Sequence, residues 1–178
     1  MSSESVRRQR FEALAEEVYE PLQRYLRRRA GVEDAEDALA DVMLTIWRRL
    51  DDAPREHGLP WSYGIARRVL ANQRRGRSRH LRLVERIESE RPPTSVPDPA
   101  DDSPDPQLAS ALASLSEGDQ ELLRLWAWEQ LEPREIAPVL GITVNAATLR
   151  LSRARGRLAD AISRQNSSRA GHKTGEGT

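Results

Sequence analysis

Residues 131–158 read LEPREIAPVLGITVNAATLRLSRARGRL, and the interpretation of the whole chain starts from this stretch. Gly141 separates two segments of helical periodicity, and the hydroxyl of Thr143 is placed to cap the second. Glu132 and Pro133 suit the start of the first segment. The second segment repeats apolar side chains at spacings of four, three and four: Ala147, Leu151, Ala154 and Leu158. Together these features predict a helix-turn-helix.

The second helix of this unit is basic, which indicates that it binds DNA in the major groove. Three residues lie near its start, away from the apolar face, and are candidates to read base edges: Asn145, Thr148 and Leu149. Three others are expected to hold phosphates, which fix position without carrying sequence information: Thr143, Arg150 and Arg153. The alternative is a helical hairpin with a solvated arginine face. Pro138 is expected to kink the first helix.

Length and composition bound the fold class. The chain has 178 residues, of which 31% are charged and 4% aromatic, so small helical domains with aliphatic cores are expected. It contains no cysteine, hence no disulfide framework, and its three histidines are too scattered to suggest a metal site. No apolar run approaches a signal-peptide core or a membrane span, which points to the cytoplasm. We predict no cofactor and no metal.

The net charge of zero conceals two basic regions. Residues 65–86 hold eight arginines and one acid, and residues 150–173 hold seven basic residues and one acid. Between them, residues 92–119 hold six acids and no basic residue. Two basic regions separated by an acidic connector indicate two places that hold phosphates.

The N-terminal part predicts two helices and a partner surface. Residues 7–30 have helical periodicity, and Pro21 is expected to bend that helix or to split it in two. After Gly31 comes a helix with a wide apolar stripe and an acidic first turn, which the helix dipole favours. The face about 180° from the stripe carries four residues that we name the docking strip: Asp37, Asp41, Leu44 and Arg48. The alternative for this strip is a solvated face.

A third helix is predicted from Trp61, after a loop at residues 51–60. Its apolar residues face inward, and polar or basic residues occupy its other faces: Arg67, Arg68, Asn72, Arg74 and Arg75. Trp61 is interpreted as an anchor in the core. The more specific alternative is that its ring stacks on an unpaired base.

The chain is predicted to be all-α, with two small helical domains joined by a flexible linker. The first domain covers residues 1–90, and an acidic, proline-rich linker covers residues 91–106. The helix-turn-helix domain covers residues 107–163. The polar tail at residues 164–178 is expected to be disordered.

Three motifs in this order resemble the bacterial extracytoplasmic-function (ECF) sigma factors of RNA polymerase. DAEDALADVMLTIWRRL resembles the acidic helix motif of that family, and LPWSYGIARRVLANQRR resembles its W-x-Y-x-x-A-R segment. The segment ending in LRLSRARGRL is similar to the final helix-turn-helix of the family. Asp41 and Met43 depart from its usual glutamate and phenylalanine, Glu132 from its usual capping serine, and Pro138 is unusual.

The resemblance implies an alternative sigma factor that binds RNA polymerase core and directs promoter-specific initiation. The docking strip would bind the clamp helices, the third helix would hold the minus-ten element, and the loop before Trp61 would capture an unstacked base. The second domain would contact the flap and read the minus-thirty-five element. The protein would be monomeric when free, insert in no membrane and need no catalytic residue. Whether an anti-sigma protein binds the chain is left open. The alternative function is a stand-alone helix-turn-helix regulator, in which the docking strip would have no function.

Overall fold

A computed structural model describes residues 3–85 and 105–172 of the protein. These residues form seven α-helices and one short 3-10 turn, with no strand among them, which confirms the all-α prediction. The chain divides into two units, Met1–Pro99 and Ala100–Thr178, and each is described by itself. Most of the predicted linker lies outside the described residues, so the exact domain boundaries stay predictions.

Three helices make up the described part of the first unit. Helix α1 spans Ser3–Ala30, α2 spans Val32–Arg48, a 3-10 turn covers Leu50–Asp52, and α3 spans Gly58–Glu85. Every pair of these helices is in contact. Their core contains mostly aliphatic side chains: Val18, Leu22, Tyr25, Leu26, Ala38, Val42, Ile46, Ile65 and Leu70. The apolar stripe predicted for α2 is therefore the face that it buries.

Helix α1 runs through Pro21 unbroken, so this proline does not split the helix, and the bend expected as the alternative stays a prediction. Proline in a helix interior removes a hydrogen bond and costs about 3 kcal/mol. On either side of it, Val18 and Leu22 are fully buried, and Tyr25 and Leu26 follow one turn later. Burying each large apolar side chain contributes about 1.5–3 kcal/mol, which together outweighs that cost. Tertiary packing therefore keeps one helix where local propensity predicts a possible break.

Four helices make up the described part of the second unit. Helix α4 spans Pro106–Ala113, α5 spans Glu117–Ala127, α6 spans Pro133–Leu140, and α7 spans Val144–His172. Helix α7 contacts each of the other three. The core is again aliphatic: Ala111, Leu122, Leu123, Leu125, Leu131, Ile136, Ala137, Val139, Ala147, Leu151, Ala154 and Ala161.

The helix starts of this unit follow the predicted caps. The Ser116 hydroxyl accepts a hydrogen bond from the backbone N–H of Asp119 at 3.2 Å at the start of α5. The Thr143 hydroxyl accepts one from Ala146 N–H at 3.2 Å at the start of α7. Each satisfies a backbone donor that the first helical turn leaves unpaired.

The turn between α6 and α7 confirms the helix-turn-helix. Gly141 adopts a left-handed conformation with φ of 68°, which a residue with a Cβ adopts only with strain. At the other end of α6, the Glu135 carboxylate accepts a hydrogen bond from Glu132 N–H at 2.9 Å, and Pro133 occupies the first turn. Pro138 is exposed and does not interrupt the helix. Its predicted kink stays a prediction.

The prediction that residues 164–178 are disordered is wrong for the first part of this tail, because α7 continues as a helix to His172. The Gln165 side-chain amide lies 3.2 Å from the Ser110 hydroxyl of α4, and Ala161 is buried. The helical extension therefore packs on α4, and a polar composition alone does not indicate this. The residues after His172 lie outside the described part of the chain.

Candidate functional site

The docking strip lies on the solvent side of α2, opposite its buried face. All four of its residues are exposed, and Leu44 keeps 46% of its surface accessible. The carboxylate of Asp41 accepts a hydrogen bond from the Gln73 amide of α3 at 3.4 Å. Ala40, also exposed, extends the same surface, because it follows Asp37 by three residues on the helix. Ala40 could not be predicted from the sequence, since a single alanine does not indicate which face of a helix is exposed.

Helix α3 begins at Gly58, earlier than predicted, and lies close to α1 at that point. A Cβ atom on Gly58 would approach the Leu14 Cδ1 of α1 to 2.7 Å, so the glycine permits this close approach. Trp61 in the first turn is half-buried, whereas its neighbours Ser62 and Tyr63 are buried. Trp61 is therefore partly accessible, and its interpretation as a core anchor or as a stacking platform stays a prediction.

The predicted DNA-binding residues of α3 are all exposed: Arg67, Arg68, Asn72, Arg74 and Arg75. The structure distinguishes among the arginines of this helix. Arg74 donates a hydrogen bond from Nη2 to the carbonyl of Arg29, in the last turn of α1, at 3.1 Å. Arg77 forms an ion pair with Asp34 of α2 at 2.7 Å. These two arginines fasten α3 to the other helices, which the sequence does not reveal.

Arg67 and Arg68 differ from Arg74, because their side chains form neither a hydrogen bond nor an ion pair with another residue that the structure describes. Arg75 donates to the amide oxygen of Asn72 one turn earlier, at 2.5 Å. Arg68, Asn72 and Arg75 thus lie on one exposed face of α3, and Arg67 is exposed on an adjacent face. Such a face can neutralise the phosphates of a nucleic acid without first breaking an ion pair.

The first two turns of α7 present the residues predicted to read bases. Asn145, Thr148 and Leu149 are exposed, and Leu149 keeps 52% of its surface accessible. The Thr148 hydroxyl donates to the carbonyl of Val144 at 3.0 Å, so this side chain already has one partner. Ser152 is exposed too, and it follows Asn145 by two helical turns on the same face. Ser152 was not predicted from the sequence, and its exposure on this face makes it a further candidate.

The arginines of α7 fall into two groups. Arg150 and Arg153 are exposed and make no ion pair within the described part of the chain. The Arg155 guanidinium lies over the Trp126 ring of α5, 4.7 Å from its centroid. Arg157 pairs with Asp119 of α5 at 2.6 Å, and the Asp119 side chain is only 15% exposed. The arginines predicted to hold phosphates are thus those that the rest of the unit leaves available.

Within the described residues, no helix is long and apolar enough to cross a membrane. The same residues contain no group of three or more acidic or histidine side chains arranged to hold a metal ion.

Two protein-family models match the chain, one in each unit. The model described as Sigma-70 region 2 matches residues 11–80, and the model described as Sigma-70, region 4 matches residues 106–158. Together the matches cover more than two thirds of the 178 residues. No curated protein sequence matches the chain.

Solved structures show the same fold. The sigma factor RpoE, solved in complex with the anti-sigma factor NepR from Bartonella quintana, is similar with a TM-score of 0.56 and 21% identity, over 87% of this chain and 92% of that chain. CnrH, solved in complex with the cytosolic domain of CnrY, is similar with a TM-score of 0.56 and 24% identity, over 86% of this chain and 87% of that chain.

Two helical units with basic exposed faces, one of them a helix-turn-helix, define a DNA-binding transcription protein. The chain belongs to the sigma-70 family and carries regions 2 and 4 of that family. It is an alternative sigma factor that directs transcription initiation. The match to region 2 assigns the first unit to the sigma-70 family. The alternative, a stand-alone helix-turn-helix regulator, would leave this unit without a role.

Proposed function

We propose that the chain recruits RNA polymerase core through the docking strip on α2. An exposed leucine with acidic and basic neighbours resembles the composition of a protein–protein interface, where apolar contact adds affinity and charges set orientation. The clamp helices of the largest polymerase subunit are the proposed partner, as the family resemblance implies. The exposure of the whole strip is the observation that carries the proposal, because binding DNA alone would not require it.

The exposed face of α3 holds the minus-ten element in this proposal. Arg67, Arg68 and Arg75 are accessible to phosphates, while Arg74 binds both to the α1 carbonyl and, by its exposed part, to DNA. The accessible part of the Trp61 indole stacks on a base that has left the duplex. Because each stacked base adds about 1–3 kcal/mol of binding energy, capture of an unpaired base favours the open state.

Helix α7 reads the minus-thirty-five element in this proposal. Asn145 and Thr148 contact base edges, and Leu149 supplies apolar contact, for instance to a thymine methyl group. Arg150 and Arg153 hold the flanking phosphates, together with Thr143 at the cap. The separation of the arginines of α7 into available and engaged groups supports this division of roles.

The remaining parts of the proposal concern partners and location. The chain acts in the cytoplasm as a monomer until it binds the polymerase, and its second unit also contacts the polymerase flap. RpoE was solved with an anti-sigma factor, which supports including such a protein among the partners. No catalytic group of the chain takes part, because binding energy drives melting and the polymerase core carries out polymerisation.

Run-off transcription with purified core polymerase tests the proposal. The chain should co-purify with the core, and the resulting holoenzyme should produce discrete transcripts from genomic fragments. Core alone and a chain without residues 1–90 serve as controls, and neither should initiate at these promoters. Sequence-specific DNA binding without core binding or transcripts would favour a stand-alone regulator and refute the proposed role of the first unit.

A further inference from the structure

The ion pair between Asp119 and Arg157 links α7 to the start of α5. The two side chains meet at 2.6 Å, and the Asp119 carboxylate is largely shielded from solvent. Its backbone is held as well, because Asp119 N–H donates to the Ser116 cap. Ion pairs with a shielded partner are screened less by salt than those on an open surface. The pair therefore ties α7 to a well-anchored point of the neighbouring helix.

A second contact links the same part of α7 to the other end of α5. The Arg155 guanidinium lies over the Trp126 ring at 4.7 Å, within the range of cation–π attraction. Helix α5 spans Glu117–Ala127, so Asp119 and Trp126 lie near its two ends. Two contacts that far apart restrict rotation of α7 relative to α5 as well as sliding.

We propose that Asp119 and Arg157 are positioning residues for promoter reading, an inference that rests on the proposed function of α7. Arg157 lies about 18 Å along the helix axis from Asn145, at a rise of 1.5 Å per residue. A tilt of about 5° at Arg157 would move Asn145 by about 1.5 Å, which exceeds the distance range of a hydrogen bond. Ala147 and Leu151 are buried near the start of α7, so the angle of the helix depends on this packing together with the ion pair at Arg157.

The test compares Asp119→Asn and Arg157→Ala with Arg153→Ala, a matched control on the same helix. Full-length variants, bound to core polymerase, are titrated at several salt concentrations. The probes are the minus-thirty-five sequence that the wild type selects from a random pool and a scrambled sequence. Arg153→Ala should lower the salt slope of binding by about 0.9 and keep the sequence preference. Asp119→Asn and Arg157→Ala should keep the slope and reduce discrimination by roughly three- to tenfold.

The charge-swapped variant Asp119→Arg with Arg157→Asp should restore part of the lost discrimination, which a purely phosphate-binding arginine would not do. Melting curves of each variant ensure that binding is measured well below unfolding. A lower salt slope for Arg157→Ala would show that Arg157 contacts a phosphate. Unchanged discrimination in both single variants would show that the ion pair only stabilises the fold. Either result overturns the inference. If the wild type selects no sequence, the reading role of α7 fails, and the positioning role fails with it.

Discussion

Replacing Arg67 and Arg68 by alanine should flatten the salt dependence of minus-ten binding. Both side chains are exposed on α3, and neither pairs with another described residue. Their removal should therefore change stability by no more than about 0.5 kcal/mol, as for most surface substitutions. Arg74 is left unchanged in this variant because its guanidinium also holds the Arg29 carbonyl of α1.

The size of the effect follows from counterion release. Each neutralised phosphate contributes about 0.9 to the slope of log affinity against log salt on duplex DNA, and about 0.7 on single strands. Loss of two contacts should lower the slope by about 1.4–1.8. Raising salt from about 50 to about 200 mM should then weaken wild-type binding roughly tenfold more than binding by the variant. Fluorescence anisotropy of labelled promoter DNA with the holoenzyme measures this difference.

Two further measurements separate promoter opening from polymerase binding. Permanganate reactivity of minus-ten thymines should fall sharply in the variant, whereas affinity for core polymerase should stay the same. The matched control is Arg8→Ala with Arg24→Ala, which removes two exposed arginines of α1 that pair with glutamates of their own helix. An unchanged salt slope with normal permanganate reactivity would refute phosphate binding by these two α3 residues.

Three other predictions address the remaining surfaces. Asp37→Arg combined with Asp41→Arg should weaken binding to core polymerase at least tenfold, because close charge pairs at an interface contribute about 1.5 kcal/mol or more. The helical content should stay unchanged. If the double variant keeps full affinity for the core, the docking strip is a solvated face. Changing Asn145 and Thr148 to alanine should alter the minus-thirty-five sequence selected from a random pool, and an identical sequence would contradict base reading. Truncation after Ser163 should destabilise the second unit by about 1–2 kcal/mol, since α4 loses hydrogen bonds to α7. Thermal unfolding measures this loss, and an unchanged melting curve would show that the extension adds no stability.

The helices and their buried faces could be predicted from the sequence because both depend on neighbours in the chain. The buried face of α2 follows from apolar spacing, and the cap at Thr143 and the turn at Gly141 from residues within one helical turn. These are local interactions whose partners are a few positions away. For the same reason, the docking strip could be recognised as the face opposite the apolar stripe of α2.

The tertiary structure decided which of the similar side chains are available for binding. Arg153 and Arg157 look alike in the sequence, but Arg157 pairs with Asp119, 38 positions earlier in the chain. The packing around Pro21 depends likewise on α2 and α3, since their side chains surround the buried part of α1. A long arginine side chain can turn toward solvent or toward a neighbouring helix, and spacing along one helix cannot distinguish the two. The sequence therefore determined most of the helices, their caps and the basic regions, but not the start of α3 or the extension of α7. Only the packing of one helix on another determined which arginines stay available for binding.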